Sequence, residues 1–439
     1  MQKSQEFNYS LYFKSNLVKR FFFVIVVLSV YRVGTYVPLF GVNLSMLNML
    51  IKYQTRGVLD MFNILSGGAL GRMSIFSLNI MPYITSSIII QLLTFISKDF
   101  MELRKSGEVG RRKINKYSKY LSIIFALLQS YGIIIAFESI VYNGVHIINH
   151  PGFYFKIVNI LSLTAGTMTV IWLADQINLR GIGNGSSLII FTSIISGLMP
   201  SIFSLLAMGK NNMISIFSLM ILLIFILLMI IFVVLMEKVH RKLLIQYPRK
   251  QVSKKIYLGD AIHLPIKVNI SGVISPVFSN TILLFPTTII SFSKELANCK
   301  KFVESYLSQG KFLYICTYVV FIFFFCFFYS AILFNPEETA KNLRKNGAVI
   351  IGRRPGKQTQ IYLQYVLTRV TIIGALYLSL VCVMPEIFIR YFNMPFYLSG
   401  ISILIVINVI LDLHSQVNSC LITIKYTKLM NSANIMRHK

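Results

Sequence analysis

Catalysis needs side chains placed to move protons, attack carbonyls or hold metals, and this chain offers few such arrangements. Its five cysteines, Cys299, Cys316, Cys326, Cys382 and Cys420, show no C-x-x-C spacing. Three of them lie in apolar runs, where a thiol behaves as a small hydrophobe. Only Cys299 is placed outside the cytoplasm by the topology below, so no intramolecular disulfide is expected. The six histidines are scattered, and His146 and His150 are the one pair at helical spacing. There is no H-E-x-x-H, G-x-S-x-G or phosphate-cradling G-x-x-x-x-G-K-[ST] pattern. The run Gly181-Ile182-Gly183-Asn184-Gly185 is glycine-rich but lacks the preceding strand that a nucleotide site requires. No catalytic residue, metal site or cofactor is therefore predicted. Any energy for transport must come from a partner or an ion gradient.

The elements that would carry function are apolar. Of 439 residues, 55% are hydrophobic and 13% charged, yet the net charge is +28 and the mean hydropathy +0.68. This excludes a soluble globular domain, whose charged share is about twice as large. It also excludes a disordered basic tail, which would lack the apolar content. Polytopic membrane protein with basic loops is what remains. The first twenty residues are polar and the first apolar run continues as a full span, so no cleavable signal is expected.

A helix needs about 20 mostly apolar residues to cross the hydrocarbon. Ten stretches qualify, near 21–38, 74–96, 119–139, 154–175, 183–207, 213–236, 268–292, 313–334, 365–386 and 397–413. The predicted fold is all-α, with ten transmembrane helices over 21–413. A terminus of residues 1–20 and a tail of 414–439 flank them. The termini and even-numbered loops, with Lys119 at the edge of the third span counted among them, hold 31 Lys and Arg, against 9 in the odd-numbered loops. The positive-inside rule then makes both termini cytoplasmic. Arg32, Asp175, Arg369, Glu386 and Asp412 are among the ionisable residues in or beside spans. All but Arg32 sit near a span end, where interfacial water lowers their cost.

Two cytoplasmic loops, 237–267 and 335–364, exceed what topology needs in basic residues. They contain apolar pairs and Gly/Pro turns, as ordered loops do. Attraction to anionic lipids accounts for part of the charge, and docking of a large acidic partner or of ribosomal RNA is the sharper reading. Between spans 1 and 2, residues 57–72 read GVLDMFNILSGGALGR. This segment is too short and polar to span, and Gly67-Gly68 breaks it before span 2. It is either an interfacial amphipathic helix or a half-helix folded back into the bundle.

The run MFNILSGGALGRMSIFSLNIMPYITSSIIIQLL (61–93) resembles the SecY/Sec61-alpha family of protein-conducting channels. Further matches follow in order: GEVGRRKINKYSKY (107–120), GTMTVIWLADQINLRGIGNGSSLIIF (166–191), HLPIKVNISGVI (263–274), FNPEETAKNLRKNGAVIIGRRPGKQT (334–359) and PFYLSGISILIVI (395–407). The resemblance covers nearly the whole chain. It implies two inverted five-helix halves, 21–207 and 208–413, around an hourglass pore with an apolar ring at Ile80, Ile84, Ser186, Ile190, Val277 and Ile405. Ser186 departs from the bulky apolar residue usual there. It implies a plug near 58–72, with Leu59, Met61, Phe62, Ile64, Leu65, Gly67 and Gly68. It implies a lateral gate between spans 2, 3, 7 and 8, with Ser86 or Ser87, Gln129 and Asn280 as polar latch. Docking contacts are implied at Arg241, Lys242, Lys254 and Lys255 in one loop and at Arg353, Arg354 and Lys357 in the other. Partners on this reading are the small subunits SecE and SecG, the ATPase SecA, the ribosome, anionic lipids, and unfolded preproteins with signal sequences. The site of action would be the bacterial inner membrane.

Two other classes are open on physics alone. An inverted-repeat secondary transporter would need paired ionisable groups at the membrane midplane. A membrane-embedded enzyme would need His or acidic residues clustered at one interface. The sequence shows neither pattern.

Overall fold

The computed structural model describes residues 2–42, 66–138, 141–142, 145–146, 152–210, 216–247, 250–252, 255–257, 261–292, 311–391 and 399–437. The chain forms two compact units. One comprises Met1–Ala207 with Ile405–Lys439, the other Met208–Leu404.

In the first unit, α1 (Gln2–Gly34) leads through an irregular segment to α2 (Met81–Ile96), α3 (Lys98–Lys105) and α4 (Glu108–Glu138). A short hairpin of β1 (Val141–Tyr142) and β2 (Val145–His146) precedes α5 (Phe153–Arg180) and α6 (Gly185–Lys210). The second unit holds α7 (Ile216–Lys238), β3 (His240–Gln246), β4 (Lys250–Val252), β5 (Lys255–Tyr257), β6 (Ala261–Lys267), α8 (Ile274–Phe292) and α9 (Phe312–Leu333). It continues with α10 (Pro336–Lys345), β7 (Val349–Ile350) and α11 (Lys357–Tyr391). The last helix, α12 (Gly400–Arg437), starts in the second unit and ends in the first.

The predicted spans fall on α1, α2, α4, α5, α6, α7, α8, α9, α11 and α12. Among the described residues, six helices are long and apolar enough to cross a membrane by length and composition. Gly185–Pro200 and Ile274–Leu283 are shorter apolar helices. The count of ten is consistent with this architecture.

Lipid is as apolar as leucine, so membrane helices associate by close packing and interhelical bonds. Both operate in the first unit. Gly166 of α5 faces the carbonyl of Ile75, and a Cβ there would lie 2.2 Å from that oxygen. Around this contact Leu39, Met73, Leu78, Ile134, Phe137, Phe155 and Leu163 form a buried core. Asn159 donates from Nδ2 to the carbonyls of Phe40 (3.2 Å) and Phe155 (3.0 Å). Two ion pairs join α4 and α5, Lys119–Asp175 at 2.5 Å and Lys156–Glu138 at 2.8 Å.

Three expectations shift. Span 2 starts as helix at Met81, because residues 66–80 run as turns, with Asn79 left-handed at φ 53 and Pro82 in the first helical turn. Pro is well suited to such a start, where its missing N–H costs no helical bond. Glu386, expected beside interfacial water, is only 7% exposed, because α11 continues past it to Tyr391. The basic loops, expected to be ordered within an all-α fold, contain a β-sheet. β3 pairs antiparallel with β6 over seven residues, His240↔Lys267 to Gln246↔Ala261, and with β7 on its other edge.

Candidate functional site

The predicted plug enters the described residues only at its end. Leu59, Met61, Phe62, Ile64 and Leu65 lie outside them. Gly67 and Gly68 are described, both left-handed, at φ 67 and 81. Gly67 is seated against α6. A Cβ there would meet Ser196 Oγ at 2.6 Å and the Ser193 carbonyl oxygen at 2.7 Å. Its own carbonyl accepts from Arg32 Nη1 (3.1 Å), Arg72 Nη2 (3.1 Å) and Ser196 Oγ (3.4 Å). Arg72 also donates from Nε to Gly68 O at 3.0 Å. The Tyr36 ring lies beneath both guanidinium groups, 5.0 Å from Arg32 and 4.0 Å from Arg72. Among the described residues Arg32, which stood out as the deep cation of span 1, thus acts on backbone, on the hydroxyls of Thr35 and Tyr36 and on an aromatic face.

Next to this hinge lies a polar cluster in an apolar surround. Tyr31, Asn79 and Ser193 are 0%, 2% and 0% exposed. Tyr31 OH lies 3.2 Å from Asn79 Oδ1 and 2.7 Å from Ser193 Oγ. Asn79 Nδ2 donates to Ser193 Oγ at 3.1 Å. The residue types carried no motif signal, since the three are 48 and 114 positions apart along the chain.

The predicted ring residues are distributed over both units. Ile80 is fully buried at the entrance to α2, and its carbonyl accepts from Ile84 N at 3.1 Å. Ile84 and Ile190 are half-buried on α2 and α6, and Ile405 is buried on α12. Val277, in the second unit, is half-buried on α8. Ser186 stands in the first turn of α6, where its hydroxyl donates to Asn184 Oδ1 at 2.8 Å and its N–H to the same oxygen at 3.2 Å. Asn184 thereby caps the helix. Asn178 Oδ1 accepts from Gly185 N at 2.8 Å, and Gln416 Oε1 from Gly183 N at 2.9 Å. The glycine-rich run is a tight inter-helix turn whose donors are taken by side chains.

The predicted latch residues are occupied locally. Ser86 is fully buried and donates to Tyr83 O of its own helix at 2.9 Å. Ser87 accepts from Gln91 at 3.4 Å, and Gln129 is half-buried on α4. In the other unit Asn280, 4% exposed, accepts from Tyr314 OH at 3.4 Å.

Five of the seven predicted docking residues lie on or beside the β6–β3–β7 sheet. Leu243, Ile245, Ile266, Ala348, Ile350, Leu363 and Val366 form the core beneath it. Arg241 and Lys242 start β3 and are exposed. Arg353 and Arg354 are exposed in the turn that follows β7, and Lys357 opens α11. Thr359, 2% exposed, donates to Arg354 O at 2.9 Å and fixes this turn. The Arg353 guanidinium lies 5.2 Å from the Tyr362 ring. Asn335 caps α10 by accepting from Glu337 N (3.1 Å) and Glu338 N (3.4 Å). In α10 the hydrogen bond and charge of Lys341 hold Glu337 below the usual carboxylate range. Lys255 lies on β5, paired with Val252, and Lys254 is outside the described residues. A junction that sequence reasoning missed joins α7, the β6–α8 turn and α11. There Glu237 Oε1 accepts from Asn269 Nδ2 (2.6 Å) and Tyr377 OH (3.4 Å).

Among the described residues no group of three or more His, Cys, Asp or Glu could hold a metal ion. The geometry is one of buried neutral bonds and apolar helix faces in one unit, and of an exposed basic sheet in the other.

Comparison with known proteins accounts for both. A family model described as SecY matches residues 74–414. The protein translocase subunit SecY of Rickettsia typhi (strain ATCC VR-144 / Wilmington) is 46% identical over 428 residues, covering 98% of this chain and 99% of that one. The SecY subunit of Escherichia coli (strain K12) is 41% identical over 421 residues, covering 95% of each. Among solved structures, a protein-conducting channel superposes with a TM-score of 0.63 at 14% identity, over 92% of this chain and 93% of that one. Sec61 in the canine ribosome–channel complex from the endoplasmic reticulum gives a TM-score of 0.58 at 13% identity, over 92% and 93%.

Proposed function

The chain belongs to the SecY family, and on that premise we propose how its parts serve a protein-conducting channel. It is a multi-pass integral membrane protein and the channel subunit of a protein translocase; the full-length match at 46% identity carries this conclusion. The transporter reading lacks the paired midplane charges it requires.

The physics of the task assigns the parts. An unfolded polypeptide cannot enter hydrocarbon, because each unsatisfied backbone group costs several kcal/mol. A wet path removes that cost but would discharge ion gradients if it stayed open. Ile80, Ile84, Ser186, Ile190, Val277 and Ile405 form the narrow ring that resists ions by dewetting and closes around a passing chain. The segment near 58–72 plugs it from outside, hinged at Gly67-Gly68. Hydrophobic segments leave sideways between spans 2, 3, 7 and 8, past Ser86 or Ser87, Gln129 and Asn280. Contacts of this kind are worth about 0.6–2 kcal/mol each, weak enough for an apolar signal segment to open.

Arg241, Lys242, Lys254, Lys255, Arg353, Arg354 and Lys357 dock the energy source, the ATPase SecA or the ribosome. The exposed basic sheet and the ribosome-bound solved relative support that assignment. SecE and SecG complete the translocase in the inner membrane, with both termini in the cytoplasm. The test is import of a signal-bearing preprotein into vesicles containing the purified complex, with photocrosslinkers at Ile80, Ile190 and Ile405. Adducts at all three positions during transit are the expected result. Import without any adduct would remove the ring assignment, and absence of import would remove the channel itself.

A further inference from the structure

We propose that Tyr31, Asn79 and Ser193 form a positioning node that sets the placement of the ring isoleucines Ile80 and Ile190 and so determines how tightly the resting pore excludes ions. The proposal rests on the ring reading above and adds residues that lie outside the ring.

The node is built from three elements that meet nowhere in sequence. Tyr31 comes from α1, Asn79 from the turn ahead of α2 and Ser193 from α6. Each is at most 2% exposed, in apolar surroundings. Buried polar groups are costly unless they are paired, and paired networks favour one arrangement of the chain over its neighbours. Here the pairing is complete. Asn79 Nδ2 donates to Ser193 Oγ, and Ser193 Oγ donates to Ile189 O at 3.0 Å. The Tyr31 hydroxyl reaches both Asn79 Oδ1 and Ser193 Oγ.

The placement relative to the ring gives the node its role. Asn79 is the residue before Ile80. It holds a left-handed φ of 53, a conformation that asparagine tolerates and that most residues avoid. That conformation ends the turn and starts α2, so it sets the direction in which Ile80 and, one turn on, Ile84 leave the backbone. Ser193 is one helical turn beyond Ile190 on α6. The node therefore ties ring positions of two helices to one hydroxyl on a third. It also touches the plug seat, because the Ser193 carbonyl is what Gly67 packs against. Packing alone does not require the hydroxyl. The Tyr31 ring already stacks on Phe76 with centroids 5.9 Å apart, a contact phenylalanine would keep.

The test uses variants that spare the fold. Tyr31→Phe removes one hydroxyl and keeps the ring stack. Asn79→Gly removes the side chain and retains access to positive φ. The complete complex is reconstituted, and resting ion conductance is read in planar bilayers without preprotein, with the size of the largest permeant organic ion as a second readout. Each single variant is expected to raise resting conductance at least threefold and to admit larger ions, and the double variant to exceed neither single by more than twofold. Leu163→Ala, a cavity in the neighbouring core, is the control for general loosening at matched loss of melting temperature. Unchanged conductance in both singles overturns the proposal. So does an equal leak in Leu163→Ala, or a double variant whose increase is the product of the singles. Preprotein import by the wild-type vesicles is scored separately, so failure of the channel reading and failure of the node give different results.

Discussion

Around Ser193 the interactions that hold function in place are neutral, buried and bonded among helices, and backbone atoms approach closely enough to leave no room for a methyl group. Around Arg354 the working groups are cations in solvent, standing on an apolar core that is itself well buried. On the channel reading proposed above, a small displacement in the first region would alter a seal. In the second, binding sums over many charges, so the surface needs a rigid base more than exact side-chain positions. The contrast predicts steep structural penalties for substitutions in the first region. In the second it predicts functional losses with the fold intact, weakened further by salt because exposed charges are screened within about 8–10 Å at physiological ionic strength.

The largest effect is expected from glycines, where the two regions can be compared directly. Gly166→Ala puts a methyl carbon 2.2 Å from the Ile75 carbonyl oxygen, a backbone atom that cannot swing aside as a side-chain end could. The expected cost is about 3 kcal/mol or complete loss of the folded protein. Gly352 has a positive φ of 79 but open space around it. Gly352→Ala should cost only the left-handed penalty, about 1–2 kcal/mol. Melting curves of the two purified variants check this, and equal losses would break the contrast.

Next comes Arg354→Glu. The side chain is exposed and its turn is fixed by Thr359 through backbone, so stability should stay within about 0.5 kcal/mol of wild type. Motor-driven export in reconstituted vesicles should nevertheless be abolished. Normal export by this variant would refute the docking assignment, and a large drop in melting temperature would move Arg354 from the second kind of region to the first.

These comparisons also show how far the sequence could be read. Apolar run lengths located the spans, because the hydrocarbon imposes a length that only helices meet. The six colinear motif matches carried the family. Local periodicity could not carry what depends on contacts between distant residues. Nothing about Arg32 announces that it binds the Gly67 carbonyl 35 positions away. Asn79 reads as an ordinary polar residue inside an apolar run, and its left-handed φ hides the true start of α2. The β3–β6 pairing was obscured by basic side chains on both strands. Alternation survives only in part of the burial along β3, where Leu243 and Ile245 are buried and Leu244 is exposed.

Ser186 tests the contrast at its finest grain, because it places a hydroxyl where the ring calls for an apolar side chain. Its proton is given to Asn184 Oδ1 at 2.8 Å, so the group is partly satisfied within the first turn of α6. The oxygen lone pairs stay available to water, and a wetted ring position conducts ions better than a dewetted one. Ser186→Ile should therefore lower resting conductance by about two- to threefold on the dewetting argument. Helix α6 should survive the change, since Asn184 keeps its bond to the backbone N–H of residue 186 and Gly185 N keeps Asn178. Single-channel recording of the resting complex decides the matter. An unchanged leak would mean that the plug, not the proposed ring, sets the seal at this level, and the ring's share of the closure in the first unit would have to be carried by Ile80, Ile84, Ile190 and Ile405.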